Sequence, residues 1–229
     1  MTKKLFWVDP YLSICDTTVK SVKDDIVTLR ETIFYAFSGG QESDAGTIDL
    51  YPVLEAKKSG LDINYRLSEK HHLKQGDQVC VQVDWQRRYQ LMRLHFAAEI
   101  ILELAYQGFS GIEKIGAHIA ADKARLDFIW PENLSSELPR IAAVAQELVD
   151  KNLEIVSAFS DEETQRRYWE VVGLGKVSCG GTHLCRTAEV GVLRLKRKNI
   201  GKGKERIEIY ASLADSSLGS INYQAQSWI

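Results

Sequence analysis

Long apolar runs are missing from this sequence. No stretch of about 18 apolar residues occurs, so no membrane-spanning helix is expected. The opening segment, MTKKLFWVDPYLSICD, lacks a sustained apolar core and is interrupted by Asp9, which speaks against a secretory signal. Proline is scarce at four residues and low-complexity tracts are absent, so long disordered segments are not expected. Cysteine is equally scarce. Cys15, Cys80, Cys179 and Cys185, in a chain of 229 residues without a signal, do not form a disulfide framework, and the reading is a cytoplasmic protein with reduced thiols. A one-sided charge is lacking too: the net charge of −2 gives no whole-chain attraction to a polyanion, and neither DNA nor a membrane is an expected partner. What is present, 45% hydrophobic and 26% charged residues, suits a globular protein with a sizeable core.

Two textures divide the chain. Residues 1–85 are β-rich: DDIVTLRETIFYAFSGGQESDAGTIDLYPV alternates strand-like runs with a Gly-Gly turn and polar loops. VQVDW closes this part, with Val79, Val81, Val83 and Trp85 on one face of a half-buried strand. Between Ala56 and Asp77 the polar, basic sequence suggests a short strand with long loops. From residue 86 helix formers take over. QRRYQLMRLHFAAEIILELAYQ, residues 86–107, is apolar on more than one face, as a buried helix would be. GAHIAADK reads as turn-like, and ARLDF alternates as a strand. A second helix starts near Pro139 and carries the stripe Ile141, Val144, Ala145, Leu148 and Val149. Ser160 with Glu163 fits a capping box and suggests a short third helix at DEETQRRYW. GVLRLKRK and RIEIYAS read as two strands joined by NIGKGKE. The expected fold is α+β: a β-barrel-like domain over 1–85, then an α/β two-layer domain over 86–229.

Two half-sites stand out. In KVSCGGTHLCRTAEVG, Cys179 and His183 lie four residues apart across Gly-Gly-Thr, half of a tetrahedral zinc site. On the first helix His95 and Glu99 share a face at the same spacing. Taken singly, His95 reads as a core histidine and Glu99 as part of an exposed stripe with Glu103; taken together, the two pairs suit one shared metal. A second cluster is basic: Arg194, Lys196, Arg197, Lys198, Lys202, Lys204 and Arg206 face a single acid, Glu205. It reads either as a solvated strand and turn or as a phosphate-contacting patch.

With those residues in view the chain resembles the editing domain of alanyl-tRNA synthetase, and more closely the free-standing alanyl-tRNA editing proteins of the medium-length AlaX type. SCGGTHLCRTAEVG followed by KNIGKGKERIEI carries the resemblance at one end. TIFYAFSGGQESDAGTI, similar to the family's F-Y-P-x-G-G-G-Q-x-x-D-x-G signature, carries it at the other. RLHFAAEIILE, IAADKARLDF and QGDQVCVQVDWQRR fit between them, so the likeness runs from about Leu12 to Ala211. The resemblance implies hydrolysis of the aminoacyl ester of mischarged tRNA-Ala, chiefly seryl- and sometimes glycyl-tRNA-Ala. It also implies a Zn²⁺ held by His95, Cys179 and His183, with Glu99 at the place of the family's second helical histidine. Gln41 and Thr182 would be catalytic or contact substrate, Gly39 and Gly40 would line its pocket, and Arg206 would meet the phosphate or ribose of the tRNA end. Three departures bear on this. Glu99 either ligates the metal, acts as general base beside it, or marks a lost site. Ala36 replaces the family proline, and Ser38 replaces the first glycine of the glycine run, which would strain a position with φ > 0.

Overall fold

A computed structural model describes residues 1–201 and 203–213. The amino-terminal half contains β1 (Lys3–Lys4), β2 (Ile14–Lys23), β3 (Ile26–Leu29), β4 (Glu31–Thr32), β5 (Gly46–Ile48), β6 (Tyr51–Pro52), β7 (Glu55–Ser59), β8 (Asp62–Arg66) and β9 (Gln78–Val83). Seven of these strands form a half-barrel in the order β6-β5-β9-β2-β3-β8-β7. Strand β2 turns the corner. Its first half pairs with β9, its second half with β3, and the register slips between Val19 and Ser21. Such an irregularity bends a strand and increases its twist. The inward face buries Val19, Val27, Leu29, Ile48, Ile63, Tyr65, Val79, Val81 and Val83. The segment after Ala56 is thus more regular than its polar composition suggested, because β7 and β8 close a hairpin whose alternate residues reach this core.

Helix α1 (Trp85–Gly108) follows at once. Asp84 accepts a hydrogen bond from the Arg87 N–H and caps the helix, so Trp85 opens the helix instead of extending the strand. Strands β10 (Glu113–Ile119) and β11 (Ala124–Ile129), helix α2 (Leu138–Asp150), strands β12 (Val156–Asp161), β13 (Arg166–Val171) and β14 (Gly175–Ser178), and the closing pair β15 (Val192–Asn199) and β16 (Lys204–Ser212) complete the chain. A four-stranded antiparallel sheet, β10-β11-β16-β15, supports both helices. His118 lies in β10, not in a turn. The apolar side chains of this half form a second buried cluster around α1, from Leu91 to Ile209. Among the described residues no helix is long and apolar enough to cross a membrane.

No helix forms at DEETQRRYW. Thr164 N–H donates to Asp161 Oδ1, Gln165 sits at φ 56°, and the chain reverses into the β12–β13 hairpin. Arg167, Trp169 and Val171 alternate inward along β13, and burying Trp169 against Phe96 outweighs the local capping signal.

Candidate metal centre

Helix α1 delivers His95, and the loop after β14 delivers Cys179 and His183. One donor atom from each lies within 4.8 Å of the other two. Cys179 Sγ is 3.5 Å from His95 Nε2 and 3.3 Å from His183 Nε2. The zinc–sulfur and zinc–nitrogen bond lengths of a tetrahedral site place sulfur and nitrogen roughly 3.5 Å apart. The donor set, two imidazoles and one thiol, is also one that zinc selects. Ser157 Oγ lies 3.0 Å from His183 Nδ1 and fixes that ring, leaving Nε2 turned to the cluster. His95 Nδ1 is buried and has no partner among the described residues, so the Nε2 side alone of that ring is engaged. The residues therefore fit a metal.

Glu99 stands beside the trio without joining it. Its Oε1 is 3.2 Å from His95 Nε2, the atom that also faces Cys179. Burial disfavours charge on His95, but Cys179 and Glu99 outweigh burial and push its pKa up to about 10. Burial likewise opposes a charged Glu99, yet the His95 bond and charge, with smaller help from His183 and Cys179, hold its carboxyl at about 2. His183 is driven far below the ordinary histidine range by burial and by the charge of His95. Without metal, His95 therefore carries a proton near neutral pH, and an ion must displace it. The sign is that of a raised pKa: the proton stabilises the metal-free protein fully below pH ~6.5 and ceases to as pH rises through about 10. Zinc loading should thus release protons at neutral pH and weaken steadily on acidification. Titration calorimetry in buffers of different ionisation enthalpy reads this directly; a loading heat independent of the buffer would contradict it.

The site is closed over by the amino-terminal half. Ser38-Gly39-Gly40-Gln41 is a tight turn in which Ser38 and Gln41 exchange backbone hydrogen bonds and Gly39 and Gly40 take φ of 61° and 88°. Ser38 lies outside the left-handed region, so replacing the family glycine causes no strain there. Ile119 N–H donates to Gly40 O, Glu42 N–H donates to Ile119 O, and a Cβ on Gly40 would come within 2.7 Å of Ala117 O. The turn is thereby stitched to β10, which carries Gln41 inward. Gln41 Nε2 donates to Thr182 Oγ1 at 2.9 Å, and Thr182 N–H donates back to Gln41 Oε1 at 3.3 Å. Gly181 has no room for a side chain: a Cβ there would lie 1.9 Å from His95 Cε1 and 2.9 Å from Gln41 Oε1.

Several supporting contacts carried no local sequence signal. Arg88 and Asp44 form a fully buried ion pair that ties α1 to the loop just after the glycine turn. Arg93 donates to Val190 O at 2.8 Å and Glu189 O at 3.0 Å, pinning the loop after the His183 segment. Trp7 Nε1 donates to Gly180 O at 2.9 Å from a position 173 residues away. Ser157 belongs to the segment just before the expected helix. Arg206, by contrast, is not directed at the cluster; it faces Asp127 across the sheet with bonds of 2.6 and 2.9 Å. The basic run divides by strand alternation: Arg194, Lys196 and Lys198 share the exposed face of β15, while Arg197 faces Glu205 with Nη2 2.5 Å from Oε1. Lys202 lies outside the described residues.

Comparison with known proteins follows the same line. No family model matches the chain. An alanyl-tRNA editing protein AlaX-M of Pyrococcus horikoshii is 33% identical over 214 residues, covering 92% of this chain and 98% of its own. The AlaX-M of Methanosarcina barkeri is 31% identical, covering 94% of this chain and all of its own. The alanine–tRNA ligase of Staphylothermus marinus is 32% identical over 92% of this chain, which corresponds to 26% of the ligase. With those identities spread over nearly the whole length of both chains, this protein belongs to the AlaX-M family of alanyl-tRNA editing proteins.

Proposed function

We propose that the protein is a trans-editing deacylase that hydrolyses the aminoacyl ester of mischarged tRNA-Ala in the cytoplasm, with seryl- and then glycyl-tRNA-Ala as its substrates. The observation that supports this most is the convergence of His95, Cys179 and His183 under a glycine turn that presents Gln41 to Thr182. In this reading residues 1–85 supply the turn and residues 86–229 the chemistry.

His95, Cys179 and His183 would hold Zn²⁺. When bound, zinc supplies Lewis acidity for an ester carbonyl or a water. Glu99, whose Oε1 lies 3.2 Å from His95 Nε2, would turn onto the bound ion as the fourth, anionic donor. Two neutral imidazoles, a thiolate and a carboxylate bring the site to zero charge, where three imidazoles and a thiolate leave it at +1. That loss of electrophilicity is tolerable because an aminoacyl ester is already activated and needs chiefly a positioned water and a stabilised oxyanion. Thr182 Oγ1 accepts from Gln41, so its own proton is the one it can offer to a substrate hydroxyl. A pocket built to bond a hydroxyl favours serine over alanine, since alanine would leave that group unpaired. Gly39 and Gly40 keep side chains out of the approach. Arg194, Lys196 and Lys198 give phosphates a sequence-independent foothold, framed by Arg206 and Asp127.

Metal analysis of purified wild type and of Glu99→His tests the site. One zinc per chain in both is expected, with tighter retention against chelator in Glu99→His. A metal-free wild type beside a zinc-loaded Glu99→His would mean that the site has decayed at this position and that the protein binds tRNA without turnover.

A further inference from the structure

We infer that Phe37 and Lys58 form a landing track for the single-stranded 3′ end of the nucleic acid, leading across the glycine turn to the Cys179 loop. This rests on the reading of the chain as a tRNA deacylase and adds where the strand runs. The chain buries Ile33, Phe34, Tyr35 and Ala36 in succession, each at most 4% exposed, and then turns the Phe37 ring outward at 54%. That ring lines a hollow of about 480 Å³ whose opposite wall is β7 with Lys57 and Lys58. Glu55 claims Lys57 at 2.8 Å, whereas no carboxylate pairs with Lys58 among the described residues.

Lys58 also lines a second, narrow slot, shared with Ser38, Trp7, Lys4 and Gly180. Gly180 directly follows Cys179, and its carbonyl is held by Trp7. The slot, of about 10 Å³, has room for roughly one water, so a strand crosses its mouth and does not enter it. The Lys4 ammonium lies 5.3 Å from the Trp7 ring centroid. Burial, and next the charge of Lys58, lower its pKa, which places the two ammonium groups in one field. An exposed aromatic ring followed by unpaired positive charge is the combination that holds single strands: bases stack on the ring whatever their identity, and phosphates meet the cations. A double-stranded stem offers no free base face to Phe37, which selects the unpaired 3′ end as occupant. Phe37 occupies a surface position whose side chain supports no core.

The test is fluorescence anisotropy with the metal-loaded full chain and a labelled single-stranded RNA ending in CCA. Wild type should bind it. Phe37→Ala should weaken binding about tenfold, the loss of one stacked base, and Phe37→Tyr should restore it. Lys58→Glu should weaken binding and flatten its salt dependence by about one phosphate contact. In deacylation Phe37→Ala should raise KM with little change in kcat. Equal binding by wild type, Phe37→Ala and Lys58→Glu, or no binding by wild type, overturns the track while leaving ester hydrolysis untouched. Binding with the expected dependence but no hydrolysis of any charged tRNA sinks the deacylase reading and leaves the track standing.

Discussion

Replacing Cys179 by alanine should abolish both metal retention and ester hydrolysis while leaving the fold intact. Cys179 is the hub of the cluster, since its sulfur is the atom shared by both imidazole contacts at 3.5 and 3.3 Å. Alanine leaves two nitrogens and the neighbouring Glu99 carboxylate, a set without the soft ligand that favours zinc. Losing only an outer hydrogen-bond partner of a ligand costs about 10- to 100-fold in metal affinity or activity, and losing the ligand itself should cost more. The backbone has no reason to move, because Cys179 N–H donates to Arg167 O at 2.9 Å and that bond needs no side chain. The variant should therefore melt like metal-free wild type. Elemental analysis and a deacylation assay on the same sample decide the matter; a variant with full zinc and wild-type turnover would remove the sulfur from the site.

The second large effect lies outside the chemistry. Arg88→Ala should destabilise the protein by about 3–5 kcal/mol, because it strands Asp44 as an uncompensated buried charge. Both side chains are fully excluded from solvent. Arg88 further donates to Ile33 O at 2.5 Å and Pro10 O at 2.9 Å, so one guanidinium ties three stretches of the amino-terminal half to α1. Asp44 in turn accepts from the Tyr35 N–H at 2.6 Å, just ahead of the glycine turn. For a chain of this length the melting temperature should fall by about 10 °C or more. Because the lost contacts register Gln41 against Thr182, turnover should fall in the folded fraction as well. An unchanged melt would mean that the pair contributes no net stability.

Those two residues show where reading from sequence succeeds and where it stops. The clustering of His95, Cys179 and His183 was legible because Cys179 and His183 have their own spacing across a Gly-Gly turn and because the order of motifs matched a known family, whereas the helical spacing also pointed to Glu99, which lies beside the group. The long helix and the strands β9, β11, β15 and β16 were legible from hydrophobic period, although Asp84 shifts the end of β9 by acting as a cap. The hairpin at Asp161 was not: Ser160 and Glu163 are a local signal for a helix, while the decisive force, burial of Trp169 against Phe96, joins residues 73 positions apart. The same holds for Trp7 on Gly180 and for the pairing of Arg88 with Asp44: Asp44 is the aspartate of the glycine-run signature, but no short window names its partner. Asp127 makes the point for charge. Its place on an alternating strand predicts exposure, yet it is buried because Arg206 and Arg125 neutralise it. Arg206, assigned from resemblance to the tRNA end, spends its guanidinium on that carboxylate.

The most direct measurement is hydrolysis of seryl-tRNA-Ala by the zinc-loaded protein at substrate excess, beside correctly charged alanyl-tRNA-Ala. Many turnovers on the seryl ester, with the alanyl ester spared by roughly 10⁴-fold or more, are the expected result if the Thr182 hydroxyl selects the serine side chain. Binding of tRNA without release of serine, from protein shown to carry one zinc per chain, would contradict the assignment of this site as a deacylase.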